Sequence, residues 1–182
     1  MPIKITAPLT KAEAAKLRAG DEVLISGSIY TARDAAHKRL CEMLDRGEQL
    51  PFEIKDSVIY YVGPTPAREG DIIGSCGPTT SGRMDAYAPR LIALGETGMI
   101  GKGERQPAVV EAMVEHTAVY FAAIGGAGAL LASCVRSRTP IAFPDLGAEE
   151  IVRLEVEDFP AVVVIDSLGN NAYAIQREKY KR

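Results

Sequence analysis

The densest group of chemically useful side chains is the stretch GSCGPTTSGRMDAY, Gly74 to Tyr87. Thr79, Thr80 and Ser81 offer hydroxyls. Arg83 offers a planar guanidinium, suited to gripping a carboxylate or phosphate with two parallel hydrogen bonds. Gly77 and Pro78 impose a turn, Gly82 frees the backbone beside Arg83, and a helix is expected just after. Backbone N–H groups at such a place bind anions, and the helix dipole assists them. The competing reading is a decorated turn with a helix cap.

Two further stretches supply cations. In GETGMIGKGER, Lys102 stands between Gly101 and Gly103, where a compact charge can approach a ligand closely; the alternative is an exposed loop lysine. In YTARDAAHKR, Arg33 falls in the first turn of a predicted helix. A cation there opposes the helix dipole, which hints at a negatively charged partner, and Asp34 is one candidate. His37 on that helix reads as a surface residue and His116 as structural. No Ser-His-Asp set, metal-ligand cluster or carboxylate pair is evident. The inventory is half of an active site: it can hold a carboxylate-bearing ligand, while the electrophile must come from elsewhere. A Walker phosphate loop is missing. GGAGAL lacks the full dinucleotide spacing, and close backbone packing accounts better for its glycines.

The elements that must position these residues alternate loosely between strand and helix. A helix is predicted over Lys11–Leu17, with Thr10 and Glu13 as a capping box. EVLISGSIY reads as a strand. An amphipathic helix follows over Arg33–Arg46, with Thr31 as its cap and Ala36, Leu40, Met43 and Leu44 on one face. SVIYYVGP is a buried strand, and the segment from Pro64 to Asp85 is a long loop. RMDAYAPRLIALGE is a helix interrupted near Pro89, GETGMIGKGER a loop, and QPAVVEAMVEHTAV a helix. VYFAAIGG is a strand, AGALLASCV a helix and IAFPDL a short strand. IVRLEVEDFPAVVVIDSLGN reads as two strands, the second apolar and central. The tail QREKYKR reads as a solvated end. The fold class is α/β with a mixed central sheet flanked by helices, in one domain over residues 1–182.

Composition narrows the function. The chain has 182 residues, a net charge of −3 and 47% hydrophobic residues, enough for a core of its own. No basic run points to nucleic acid or an acidic membrane. Cys41, Cys76 and Cys134 are scattered and odd in number, which fits neither a disulfide framework nor a metal pair and suggests a reducing cytoplasm. The N-terminus lacks the apolar core of a signal peptide. The apolar run Thr117–Val135 is split by Gly125, Gly126 and Gly128 and reads as strand, turn and helix rather than a membrane span.

Taken together, TARDAAHKR, YYVGPTP, GSCGPTTSGRMD, GETGMIGKG, YFAAIGGAGALLA and FPDLGAEEIVRLEVEDFPAVVVID resemble the β subunit of the iron–sulfur-dependent hydro-lyases. That family comprises class I fumarate hydratase and L(+)-tartrate dehydratase, and in single-chain members the match is to the C-terminal domain. The resemblance implies a swivelling β/β/α domain paired with an α subunit as α2β2. It implies a 4Fe-4S cluster ligated by that α subunit, with Cys76 left structural, and reversible addition of water to a dicarboxylate alkene such as fumarate. It implies that Thr79 handles the C3 proton, that Arg33 and Arg83 clamp carboxylates, and that Lys102 is a further substrate-binding cation. Tartrate and mesaconate are alternative substrates. A reading of another class is a non-catalytic module for small carboxylates or phosphates.

Overall fold

The computed structural model describes residues 1–123 and 126–179. Five strands run parallel: β1 (Ile3–Ala7), β2 (Glu22–Thr31), β3 (Val58–Tyr60), β4 (Gly98–Gly101) and β5 (Val119–Ala122). Two more, β6 (Val135–Ala142) and β7 (Ile151–Ile165), pair antiparallel with each other. β7 also pairs antiparallel with both β2 and β5. Hydrogen bonding therefore closes a circuit through β2, β3, β4, β5 and β7 within the seven-stranded sheet.

The short central strands are apolar without alternation because both of their faces are buried. Tyr60, Ile100 and Phe121 point into one core with Ile25, Ile29, Phe159 and Val163. Their chain neighbours Ile59, Tyr61, Met99 and Tyr120 point the other way. They meet Leu40 of helix α2 (Asp34–Asp45), Leu91 and Ile92 of α3 (Ala88–Ala93), and Val109 and Met113 of α4 (Pro107–His116). Each such fully buried side chain contributes about 1.5–3 kcal/mol. Gly27 and Gly74 are among the positions that need glycine for close approach. A Cβ on Gly27, which has φ +106°, would lie 2.1 Å from the Ala7 carbonyl oxygen of β1, and one on Gly74 would lie 2.1 Å from that of Thr65.

The sequence reading departs from the structure at several elements. β1 was not anticipated. Helix α1 covers only Lys11–Ala14, although its Thr10–Glu13 capping box is present. Residue 33 is the N-cap of α2 rather than part of its first turn, and Thr31 does not cap it. The buried Thr31 hydroxyl instead donates to the Glu150 carbonyl (3.2 Å) and accepts from the Val152 amide (3.1 Å), joining β2 to β7. Four residues of the supposed glycine loop form strand β4, because a both-faces-buried strand tolerates glycine where a neighbour presses on it. The predicted strand IAFPDL ends at Ala142, and Pro144–Glu149 continues as 3-10 structure. The two closing strands are one. Asp158, at φ +48°, lies within it, and its amide is held by the Ser26 hydroxyl (3.0 Å). Of the tail, Gln176–Lys179 lie in helix α6 (Ala172–Lys179), which buries no residue, and residues 180–182 lie outside the described residues. Helix α5 (Gly128–Ser133) follows β5 as expected, and of its glycine turn Gly125 lies outside the described residues. Among the described residues no helix is long and apolar enough to cross a membrane.

Parallel strands place the loops leaving their carboxyl ends on one side of the sheet, where α/β folds bind ligands. Arg33 follows β2, the Gly74–Tyr87 stretch follows β3 and Lys102 follows β4.

Candidate functional site

The stretch after β3 returns to the sheet edge and is fastened there by its backbone. The Thr79 amide donates to the Tyr61 carbonyl (2.7 Å), the Ser81 amide donates to the Lys102 carbonyl (2.9 Å), and Thr80 forms a bridge with Lys102. This contact requires Gly101: a Cβ there would come within 2.0 Å of the Ser81 Oγ. The 3-10 turn Ser81–Met84 then carries Arg83. Thr79, Arg83 and Lys102 thus share two adjacent, hydrogen-bonded loops.

The expected backbone anion site is not formed as the sequence suggested. The helix that begins here is a single 3-10 turn of four residues, too short to add an appreciable dipole. The Thr79, Ser81 and Arg83 amides are spent on the Tyr61, Lys102 and Thr80 carbonyls. Gly82 has neither a positive φ nor a neighbour within 4 Å of a Cβ, so nothing in the structure requires glycine there. The charge for an anion is supplied by side chains. Among the described residues the Thr79 hydroxyl and the Arg83 and Lys102 cations have no hydrogen-bond or ion-pair partner.

Arg33 has two acidic neighbours. Its Nε lies 2.9 Å from Glu149 Oε1 and its Nη2 3.5 Å from Asp34 Oδ1. Its stem passes Gly63, where a Cβ would sit 3.0 Å from Nη1. Burial pushes the Glu149 carboxyl up; the positive charges of Arg33 and Arg83 pull it down, and Asp34 pushes it up. Glu149 is therefore the point where the fields of the two arginines overlap.

His37 is not on the surface. It is fully buried, its ring meets Tyr61 edge-on at 5.3 Å, and its Nδ1 lies 2.9 Å from the Arg33 carbonyl oxygen. Burial pulls its pKa down to about 4, so the ring is neutral and donates from Nδ1. The helical pattern missed it because α2 is packed on more of its circumference than its apolar residues mark.

Cavities of about 590, 560, 530 and 360 Å³ are lined by other residues, one of them along α4 between Pro107 and Glu115. At the site itself Arg83 and Lys102 are exposed, while Thr79 and Arg33 are half-buried. Residues 1–176 match the family Fumarase C-terminus.

The chain belongs to this family.

Among its relatives, Fumarate hydratase 2 of Leishmania major is 43% identical over 157 residues, 85% of this chain and 28% of its own length. Fumarate hydratase class I, aerobic, of Escherichia coli K12 is 44% identical over 82% of this chain and 28% of its own. The chain thus spans little more than a quarter of these two fumarate hydratases. A Methanocaldococcus jannaschii protein provisionally named L(+)-tartrate dehydratase subunit beta differs in this respect. It is 40% identical over 181 residues, 96% of this chain and 93% of its own.

An iron–sulfur cluster does not fit the described residues of this chain. The described residues contain no group of three His, Cys, Asp or Glu able to hold a metal. Burial pushes the Cys76 thiol up to about 12, and its sulfur faces the Gly128 carbonyl at 3.8 Å, so it is a protonated packing residue. Beyond the predicted residues, the structure adds Glu149 and a buried set around Arg105. No spacing rule would have found either, since both act across elements distant in sequence.

Proposed function

We propose that the chain is the β subunit of an iron–sulfur hydro-lyase that reversibly hydrates fumarate to (S)-malate, with a separate α subunit carrying the 4Fe-4S cluster. The observation that carries this reading is the open wall at the sheet's carboxyl edge. Among the described residues Thr79, Arg83 and Lys102 stand there with no side-chain partner on two fastened loops, with Arg33 on a third. Such a wall has charge for a dianion but encloses nothing, as befits a surface completed by another chain.

In this reading Arg83 and Arg33 grip the two carboxylates and fix the alkene's orientation. Lys102 adds a third positive charge near the reacting carbons. The Thr79 hydroxyl handles the proton at C3. An isolated threonine is a poor base, and the neighbouring Arg83 and Lys102 charges favour its alkoxide. The domain, residues 1–182, swivels against the α subunit to close the site, and the enzyme assembles as α2β2 in the cytoplasm, serving the tricarboxylic acid cycle.

The test is anaerobic assay of the chain co-expressed with its α partner and reconstituted with iron and sulfide. Hydration of fumarate is expected, and its failure together with failure to dehydrate L-tartrate overturns the proposal. A second reading, a tartrate dehydratase β subunit, is favoured by the near end-to-end match to the archaeal protein of that name. The same assay separates the two. A non-catalytic carboxylate-binding module would instead bind malate as an isolated chain.

A further inference from the structure

A buried polar cluster lies behind the two site loops. The Arg105 side chain is 0% exposed and that of Asp85 1%. Arg105 Nε donates to Asp85 Oδ1 (2.7 Å), and the Gln106 amide donates to Asp85 Oδ2 (2.7 Å). Arg105 Nη2 donates to the Tyr61 hydroxyl (3.3 Å), and the guanidinium lies 5.2 and 5.0 Å from the ring centres of Tyr61 and Tyr120. The Tyr120 hydroxyl donates to the Gly103 carbonyl (2.9 Å) and shares a 2.8 Å hydrogen bond with the Ser81 Oγ.

Every connection in this set joins the loop of Lys102 to the loop of Thr79 and Arg83, or either one to the strands beneath. Asp85 follows Arg83 by two residues, and Arg105 follows Lys102 by three. Replacing a buried ion pair by apolar residues is often neutral or stabilising, so stability alone does not account for it. A planar fork with fixed acceptors does set a distance, which an apolar filling leaves adjustable.

We infer that Arg105 and Asp85 are positioning residues that hold Lys102 in register with Thr79 and Arg83. The inference rests on the hydro-lyase reading for its effect on rate, but the register itself can be measured without activity.

The experiment compares wild type with Asp85→Asn/Arg105→Met in the complete α–β pair. The double variant removes both buried charges and leaves an acceptor for the Gln106 amide. Two readouts are taken: hydration kinetics, and hydrogen exchange of the Ser81 amide, which is bonded to the Lys102 carbonyl. The expected result is a thermal midpoint close to wild type, Ser81 exchange at least tenfold faster, and kcat/KM at least tenfold lower, mostly in kcat. A folded variant with unchanged exchange and unchanged kcat/KM overturns the inference. Should the double variant not fold, Tyr120→Phe removes only the hydroxyl that ties Ser81 to Gly103. The same two changes are expected, and their absence overturns the inference equally. If the wild-type pair hydrates neither substrate, the functional reading fails and Ser81 exchange alone decides the positioning role.

Discussion

Arg33 Nε stands 2.9 Å from Glu149 Oε1, yet both atoms are buried without an aligned hydrogen bond. The pair attracts by charge while its hydrogen-bonding capacity goes unused. A substrate carboxylate able to align with Arg33 would displace Glu149 rather than find an idle cation. Glu149→Gln removes the competing charge. The expected outcome is a KM for the dicarboxylate lowered about three- to tenfold, since a half-buried pair is worth on the order of 1 kcal/mol and 1.4 kcal/mol is tenfold. Steady-state kinetics at pH 7 check it, and an increased KM would show that Glu149 orients Arg33 instead.

Among the described residues the Thr79 hydroxyl has no partner, so Thr79→Ala should leave the fold untouched, within about 0.5 kcal/mol by urea titration. If the hydroxyl handles the C3 proton, kcat should fall about 10²- to 10⁴-fold. Wild-type turnover in the variant would remove Thr79 from the reaction. Exchange of deuterium between solvent and C3 of malate gives an independent readout of the same step.

Arg83→Lys keeps the charge and loses the fork. A roughly ten- to hundredfold loss of kcat/KM is expected, with the thermal midpoint unchanged, because the Arg83 side chain makes no hydrogen bond within the described chain. Kinetics equal to wild type would mean that charge, not bidentate geometry, is what Arg83 contributes.

The residues of this wall were legible in the sequence because they sit in short, composition-rich loops, whose glycines and cations stand out against apolar strands. Their mutual arrangement was not. That Lys102 faces the threonine loop depends on β3 and β4 being parallel neighbours, and that Glu149 reaches Arg33 depends on a 3-10 turn that the sequence reading took for the end of a strand. Apolar runs mark the strands but not their topology, and the change from alternating to continuous apolar residues along β7 reads as two strands where the structure has one. His37 and Arg105 escaped for a common reason: a buried polar residue carries no periodic mark, and only its partners, contributed by other elements, reveal why it is inside.

Gly101 tests the contact between the two loops directly. In Gly101→Ala the new Cβ would fall 2.0 Å from the Ser81 Oγ and 3.0 Å from the Tyr61 ring, both in the packed interior. A loss of about 1–3 kcal/mol is expected from overpacking. Gly82→Ala, with open space and an ordinary backbone angle, is the control and should be near neutral. Urea titration of both variants checks the contrast; equal stability of the two would mean that Ser81 does not seat against β4.

Stability should depend on pH through two buried groups of opposite sign. Burial pushes the Glu96 carboxyl up from 4.5 to about 8, against the pull of Arg105, and neither of its oxygens has a partner among the described residues. Between those values the unfolded chain has lost the proton that the folded chain keeps, so stability falls as pH rises, by ~1.4 kcal/mol per pH unit. Burial pulls His37 down from 6.5 to about 4, so between those values the unfolded chain binds the extra proton and stability rises with pH. The two slopes oppose each other from about 4.5 to 6.5, and above 6.5 that of Glu96 is left uncancelled. Glu149, whose carboxyl is also raised, contributes a slope of the same sign just above its ordinary value of 4.5. Wild type should therefore lose stability steadily from pH 6.5 to about 8. Glu96→Gln keeps the shape and removes the titration, so its profile over that range should be flatter by the Glu96 share. Urea midpoints measured at half-unit steps give both curves, and parallel curves would show that Glu96 is already ionised in the folded chain.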